Sequence, residues 1–252
     1  MDNQGFVTTI CIIVFFVILI VAISSRKAKK RWNLDSVQFW EAEKRKKELL
    51  ETVTKLVRGT SAERDLVLKL LIYGIPAQTI FHDLYVKKRN GYFSQIDLVV
   101  ATAAGIVVFE VKDYSGWIFG TGYQSQWTQV LAYGKQKYRF YNPVMQNNKH
   151  IADLRKKRKQ FEKIPFYSVV VFDGDCELRD ISFVPEGTFV VREERVLEVM
   201  RIIQAKEPAP YTDKHEVIRV LREAVENGTH KGTEKQHIEK VTDMLGRHRV
   251  FD

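Results

Sequence analysis

The stretch Gln95-Ile96-Asp97-Leu98-Val99-Val100-Ala101-Thr102-Ala103-Ala104-Gly105-Ile106-Val107-Val108-Phe109-Glu110-Val111-Lys112 decides how the chain is read. Two runs of β-branched and apolar residues flank a small-residue turn, the composition of two strands joined as a hairpin. With the turn centred between Ala103 and Ala104, Asp97 stands opposite Glu110 and Gln95 opposite Lys112. Side chains alternate along a strand, so Gln95, Asp97, Glu110 and Lys112 share one face, while Ile96, Leu98, Val100, Val107, Phe109 and Val111 share the other. An amphipathic hairpin with an ordinary wet face and a Glu-Lys pair is the plainest account. Against it, two carboxylates directly opposite each other repel, at a cost of roughly a few tenths of a kcal/mol. A divalent cation between them turns that repulsion into binding. Hard oxygen ligands suit Mg²⁺ or Mn²⁺, and a lysine two residues on can orient a water or stabilise charge on a phosphoryl oxygen.

The flanking pattern supplies the rest of an α/β domain. Asp35 or Ser36 can cap a largely charged helix running to about Arg58, a solvent-exposed stalk that stops at Gly59. Ser61 is placed to cap a helix over residues 62–73, with Leu66, Val67, Leu70 and Leu71 as its apolar stripe and Gly74 as its stop. Strands are expected at about 77–87, 92–101 and 106–113, and residues 116–141 read as a further hairpin. Asn142-Pro143 starts a helix expected to reach about Lys163, with the Asn as cap and the Pro in the first turn. A buried strand over 166–172, shorter strands near 181–184 and 188–191, and helices near 193–205 and 212–226 follow. A polar tail begins at Asn227, in which residues 238–245 can form one more short helix. The order α-β-β-β-(β-β)-α-β describes one layer of sheet with flanking helices.

At this point the residues resemble a known family. Asp97 with Glu110-Val111-Lys112 is similar to the PD-(D/E)xK nuclease superfamily, whose core is an αβββαβ arrangement, and within it to the nuclease-related domain (NERD) family. The matching stretches are Gly59-x-x-x-Glu63, Gln95-Ile96-Asp97, Gly105-x-x-x-x-Glu110-x-Lys112-x-Tyr114-x-Gly116, Trp127, and Asn142-Pro143-x-x-Gln146-x-x-x-His150, in the expected order from about Gly59 to Phe172. The chain departs from the superfamily spelling in having Ile96 where a proline would precede the aspartate. The resemblance implies that Asp97 and Glu110 are metal ligands for Mg²⁺ or Mn²⁺ and that Lys112 is the catalytic lysine. It further implies that Glu63 is an additional acid reaching the site from the first helix, and that Gln146 lies near the site.

Charge is unevenly placed. The chain has 252 residues and a net charge of +9. Residues 24–58 carry eleven Lys/Arg against five Asp/Glu, and residues 149–163 carry seven against two, so the remainder is slightly acidic. The first block is explained by contact with anionic headgroups beside a membrane. The second, Arg155-Lys156-Lys157-Arg158-Lys159, is either a solvated helix face or a patch that binds nucleic-acid phosphates. Gln146 and His150 share a helix face four residues apart; His150 reads as a surface or phosphate contact rather than a metal ligand, with a role in the site as the alternative.

The segment from Phe6 to Ile23 is apolar at every position except Thr8 and Thr9. Its length matches the roughly 30 Å hydrocarbon core of a bilayer if helical. A cleavable signal peptide carries its positive charge ahead of the apolar run, whereas here Arg26, Lys27, Lys29, Lys30 and Arg31 come after it. The expectation is therefore a single-pass anchor in the cell membrane with everything after Ser25 in the cytoplasm. Cys11 and Cys176 cannot meet across that arrangement, which excludes a disulfide framework; no C-x-x-C pair or zinc-type histidine spacing is present either. The acidic run Asp173 to Glu177 does not follow EF-hand spacing and reads as a polar turn.

The domain plan is thus an anchor (1–25), a basic juxtamembrane stalk (26–58), a nuclease-related core (59–175), C-terminal strands and helices packed on it (176–226), and a polar tail (227–252). The functional expectation is a membrane-anchored, metal-dependent nuclease acting on DNA or RNA. The alternative is a non-catalytic tethered module that binds nucleic acid or protein on the same fold.

Overall fold

A computed structural model describes residues 37–229 of the chain. The apolar run at 6–23 and the expected helix at 238–245 lie outside the described residues, and among those described no helix is long and apolar enough to cross a membrane. Helix α1 occupies residues 37–51. Its charged middle makes i,i+3 and i,i+4 pairs such as Lys46–Glu43 at 2.7 Å and Lys44–Glu48 at 3.8 Å, the pairing that supports an exposed helix. It stops seven residues before the expected end at Arg58, because Thr52 turns its hydroxyl onto the Leu49 carbonyl and Thr54 sends its own to His82.

The compact domain begins at Leu49. Helix α2 (Ser61–Tyr73) is followed by strands β1 (Ile80–Lys87), β2 (Phe93–Thr102), β3 (Gly105–Asp113), β4 (Gly116–Thr121), β5 (Gln126–Leu131) and β6 (Gln136–Tyr141). Helix α3 (Pro143–Arg155), strands β7 (Phe166–Asp173), β8 (Cys176–Ser182) and β9 (Thr188–Arg192), and helices α4 (Val196–Gln204) and α5 (Lys214–Asn227) complete it. The core order α2-β1-β2-β3-α3-β7 agrees with the expected αβββαβ order. The single sheet does not survive: a five-stranded sheet runs β1-β2-β3-β7-β9, and a second, four-stranded sheet runs β6-β5-β4-β8. Residues 116–141, expected as a hairpin, form three strands, because Tyr133 and Gly134 both take left-handed backbone angles and turn the chain back once more.

The larger sheet is covered on both sides. Leu66, Val67 and Leu70 of α2 and Val199, Met200 and Ile203 of α4 bury one face against Leu98, Val100, Val107 and Phe109. Ile151 and Leu154 of α3 and Val217, Val220 and Leu221 of α5 bury the other against Val99, Ile106 and Val108. The expected division into an apolar and a polar face is therefore corrected: both faces are apolar through the middle, and the polar groups collect at one end of the sheet.

The β2–β3 register is the one read from the sequence, from Leu98 opposite Phe109 to Thr102 opposite Gly105. On β1–β2 the pairing runs from Ile80↔Val100 to His82↔Leu98 and resumes at Leu84↔Ile96, skipping Asp83 and Asp97. Asp83 has a φ of 54°. Both strands change face across this break, since Phe81 and Leu84, like Val99 and Ile96, all pack in the same cluster although each pair is three positions apart. Ile96 consequently lies on the face opposite to Leu98 and Val100, contrary to simple alternation.

Helix α3 ends at Arg155 rather than Lys163. Five consecutive cations continued in one helix would stack like charges at i,i+3 and i,i+4, and a 3-10 turn at Lys159–Glu162 instead drops Phe161 into the core.

Candidate active site

The site residues arrive on four elements, α2, β2, β3 and α3, and local sequence explains how. Thr60, not Ser61, caps α2: its hydroxyl accepts the Glu63 N–H at 3.3 Å and donates to Glu63 Oε1 at 2.9 Å, a side-chain N-cap that also holds the Glu63 carboxylate. The second carboxylate oxygen of Glu63 meets His82 Nε2 at 3.2 Å, and His82 Nδ1 meets the Thr54 hydroxyl at 2.7 Å. Gly59 has a φ of +62°, and a Cβ there would lie 2.5 Å from both Glu63 Oε2 and His82 Nε2. The glycine of Gly59-x-x-x-Glu63 is thus required by backbone angle and by the close approach of this pair.

Asp97 lies at the break where β2 changes face. Its Oδ2 accepts the Val111 backbone N–H at 2.8 Å, closing the β2–β3 hairpin by a side chain. Asp97 keeps some exposed surface but is densely surrounded by protein. That burial, then the negative charges of Glu110 and Glu63, push its carboxyl well above the usual range. On the other flank of the break, Asp83 Oδ2 takes the Arg58 guanidinium at 2.8 Å and its Oδ1 the Gln95 side-chain amide at 3.0 Å. Gln95 therefore does not face Lys112 as the period-two reading has it.

Glu110 is almost fully buried, at 1% exposure. Its Oε1 accepts Lys112 Nζ at 2.6 Å, and its Oε2 lies 3.4 Å from His150 Nε2, within ion-pairing distance but outside hydrogen-bond alignment. Burial opposes ionisation, but the close imidazole of His150 and the Lys112 ammonium outweigh it and hold the Glu110 carboxyl below its usual range. The same balance, burial opposed by the charges of Glu110 and Asp97, raises Lys112. Lys112 also donates to Gln146 Oε1 at 3.3 Å.

Helix α3 is set by Asn142, whose side-chain oxygen accepts from Val144 and Met145 while its amide donates to carbonyls of the β4–β5 turn. Asn147 ties the helix to the sheet through the Val108 carbonyl at 2.8 Å and Ser168 at 3.0 Å. One face of α3 thereby delivers Gln146 to Lys112 and His150 to Glu110.

Of the residues singled out from the sequence, Glu63, Asp97, Glu110, Lys112, Gln146 and His150 come together at this end of the sheet. His150 is buried, not a surface contact, and its Nδ1 lies 3.0 Å from the Ser94 hydroxyl. Ser94 and His82 carried no sequence signal. Among the described residues no group of three or more His, Cys, Asp or Glu is already arranged to hold a metal ion. The donors nonetheless fit one: two carboxylates converge with a cationic lysine, and the buried oxygen Glu110 Oε2 lacks a hydrogen-bond partner.

The basic block is dispersed. Arg155 lies over the Phe166 ring at 5.2 Å, and Arg158 pairs with Glu216 at 3.1 Å. Lys156 and Lys157 line a cleft of about 390 Å³ with Lys87 at the end of β1 and Lys88 and Arg89 of the β1–β2 turn, together with Asp153, which pairs with Lys88 at 3.1 Å. Lys159 is exposed. The expected basic helix is thus replaced by a cleft at the C-terminal end of α3, because that helix ends at Arg155.

Comparison with known proteins identifies what the chain is similar to. Residues 58–173 match the family model described as the nuclease-related domain. An uncharacterized protein of Bacillus anthracis is 33% identical over 103 residues, a stretch covering 41% of this chain and 47% of that protein. The chain thus spans about half the length of the curated relative it matches. No solved structure shows a significant match. Residues 58–173 of this chain form a nuclease-related domain.

Proposed function

We propose that this domain hydrolyses phosphodiester bonds of DNA or RNA with the help of Mg²⁺ or Mn²⁺. The observation that carries the reading is the convergence of Asp97, Glu110 and Lys112 at one end of the sheet, with a buried Glu110 oxygen lacking a hydrogen bond. Asp97 and Glu110 would hold the cation, which when bound would polarise a phosphoryl oxygen and lower the pKa of an attacking water. Lys112 places positive charge where charge develops on the phosphoryl group, and Gln146 steers that ammonium. Glu63, braced by Thr60 and His82, adds a second source of negative potential next to Asp97. The cleft lined by Lys87, Lys88, Arg89, Lys156 and Lys157 supplies a sequence-independent contact for the backbone phosphates.

The reading includes membrane attachment through residues 6–23, with the domain in the cytoplasm at the cell membrane. Its support is the apolar run followed at once by a basic block. Protease added outside intact cells should leave the domain uncut; its degradation there would overturn the placement.

The enzymatic reading is tested by incubating the whole chain, purified in detergent, with plasmid, linear and single-stranded substrates in Mg²⁺, Mn²⁺ or EDTA. Cleavage that is lost in EDTA and in Asp97→Ala and Lys112→Ala supports it. Nucleic-acid binding without metal-dependent cleavage would instead make the domain a tethered binding module.

A further inference from the structure

The second sheet has an outer face that the cation, the lysine and the basic cleft leave unused. Ile118 and Trp127 point inward, into a core shared with Val144 and Phe172, so their chain neighbours Phe119 and Thr128 point outward. The register places Asp180, Phe119, Thr128 and Arg139 in one row across β8, β4, β5 and β6, at roughly 4.8 Å per strand. These four side chains line a cleft of about 500 Å³ together with Thr121, Gln124 and Gln126. Arg139 is exposed, and among the described residues its guanidinium has no ion pair or hydrogen bond.

Where the β4–β8 pairing ends, at Thr121 and Ser182, two rings stand in solvent. Tyr123 is 67% exposed and Phe183 74%, and they meet edge to face with centroids 5.4 Å apart. Backbone strain holds them there. Phe183 has a φ of 52°, and a Cβ on Gly122 would lie 2.1 Å from the Phe183 carbonyl oxygen. Strain of this kind in a bulky residue marks ligand-binding positions more often than turns built only to reverse the chain. Tyr123 lies between Thr121 and Gln124, so the rings adjoin the cleft. The same turn is fastened to the catalytic end of the large sheet. The Asn142 amide donates to the Thr121 and Gln124 carbonyls at 3.0 and 2.6 Å. Asn142 caps α3, and Gln146, about one helical turn further on, reaches Lys112.

A ligand matched to this surface offers a flat π face for the rings, an anion for Arg139, and polar edges for the amides of Gln124 and Gln126 and the carboxylate of Asp180. An unpaired nucleotide offers all three. A base inside a duplex does not, because its neighbours cover both of its faces.

We infer that the outer face of the second sheet binds an unpaired stretch of nucleic acid, with Tyr123 and Phe183 stacking on bases and Arg139 holding a phosphate. The substrate of the domain is then a strand with unpaired nucleotides beside the bond to be cut. That last step rests on the nuclease reading proposed above; the binding itself does not need it.

The test measures fluorescence anisotropy of labelled oligothymidylate, and of a duplex of the same length, with the whole chain in detergent and in EDTA, where metal-dependent cleavage is silent. The wild type should bind oligothymidylate more tightly than duplex. Tyr123→Ala and Phe183→Gly should each weaken oligothymidylate binding about tenfold, with duplex binding unchanged. Glycine suits the left-handed angle of residue 183, so that variant removes the ring without adding strain. Tyr123→Phe keeps a ring and should bind like the wild type. Arg139→Gln should reduce the slope of log K against log salt on the single strand by about 0.7. Equal affinity for single strand and duplex, or variants that bind oligothymidylate as the wild type does, would overturn the inference; so would a change of oligomeric state in Phe183→Gly, which would make the rings a contact between copies. If any of these results accompanies metal-dependent cleavage, the nuclease reading stands alone. Ring-dependent binding of oligothymidylate by a chain that cleaves nothing in Mg²⁺ or Mn²⁺ would support the binding face and overturn the nuclease reading.

Discussion

Asp83 and Asp97 stand opposite each other on neighbouring strands at a place where β1 and β2 skip a pair. Asp83 takes a left-handed backbone angle there, both strands change face, and Asp97 is left with Glu63 acting on it from the α2 side and Glu110 from the hairpin side. An uninterrupted ladder would have kept Ile96 with Leu98 and Val100 on the α2 face; the break is what places an acid between two others.

The break should be fragile at Asp83. Its carboxylate and the Arg58 guanidinium form a largely buried pair, with Arg58 also donating to the Asp83 carbonyl at 2.6 Å. Asp83→Ala leaves Arg58 without its carboxylate in a buried setting, a loss of about 3–5 kcal/mol, and strains an alanine at positive φ. Thermal melting should show a large drop in Tm, and metal binding should weaken with it because Asp97 loses its setting. A variant that melts like the wild type would show that the pair does not hold the break.

Gly59 gives a sharper steric prediction. Gly59→Ala puts a Cβ 2.5 Å from Glu63 Oε2 and His82 Nε2 at a left-handed φ. The backbone angle alone costs roughly 1–2 kcal/mol, and the clash displaces Glu63 from the Thr60 hydroxyl. The expected outcome is a lower Tm together with altered metal affinity; Gly91→Ala, also at positive φ but with open space around its Cβ, should lower Tm without touching affinity.

The acid–base behaviour of Asp97 has a defined sign. Its pKa is raised in the folded protein, so its stabilising contribution is complete below the unfolded pKa and is lost as pH rises through the folded one. In EDTA, Asp97→Asn should therefore melt higher than the wild type above the usual carboxylate range, with the gap closing as pH falls. A divalent cation needs the ionised form, so the Tm increase produced by Mn²⁺ in the wild type should grow over that same rise in pH, with protons released on binding. Glu110, held low, behaves oppositely: its contribution is present above its unfolded pKa and lost as pH falls through the folded one. A Mn²⁺ effect on Tm that is flat with pH would contradict this assignment.

The basic cleft and the neighbouring arginine should separate cleanly. Replacing Lys87, Lys88 and Arg89 by alanine should weaken binding to DNA or RNA evenly across sequences, and each lost phosphate contact should reduce the slope of log K against log salt by about 0.9 on a duplex. Arg158→Ala removes the ion pair with Glu216 and should lower Tm with little effect on that slope. Filter binding across a salt series measures both.

The sequence carried the parts of this account that depend on period and on local chemistry. The β2–β3 register follows from the turn position, the start of α3 from Asn142-Pro143, and the approach of Glu110 to Lys112 from a spacing of two on one strand. The face change at Asp83 was hidden, since an aspartate in a strand gives no sign of a left-handed angle. So was the second sheet, because Gly116 to Tyr141 reads as a single hairpin and the pairing of β8 to β4 joins segments far apart in sequence. His150 looked like a surface residue because Lys149 and Arg155 flank it in sequence; on the helix those cations point away, and the ring turns to Ser94 and Glu110. The basic run looked helical because nothing in it breaks a helix, whereas the pull of Phe161 into the core does so from outside.

The most direct test of the central claim is cleavage of nucleic acid by the purified whole chain, measured beside Lys112→Ala and Asp97→Ala in Mn²⁺, Mg²⁺ and EDTA. The wild type is expected to show metal-dependent cleavage that EDTA abolishes and that each substitution reduces by at least about a hundredfold, in line with removing a group that stabilises charge in the transition state. Cleavage by the wild type no greater than that of the two variants, under conditions where all three remain folded, would contradict it.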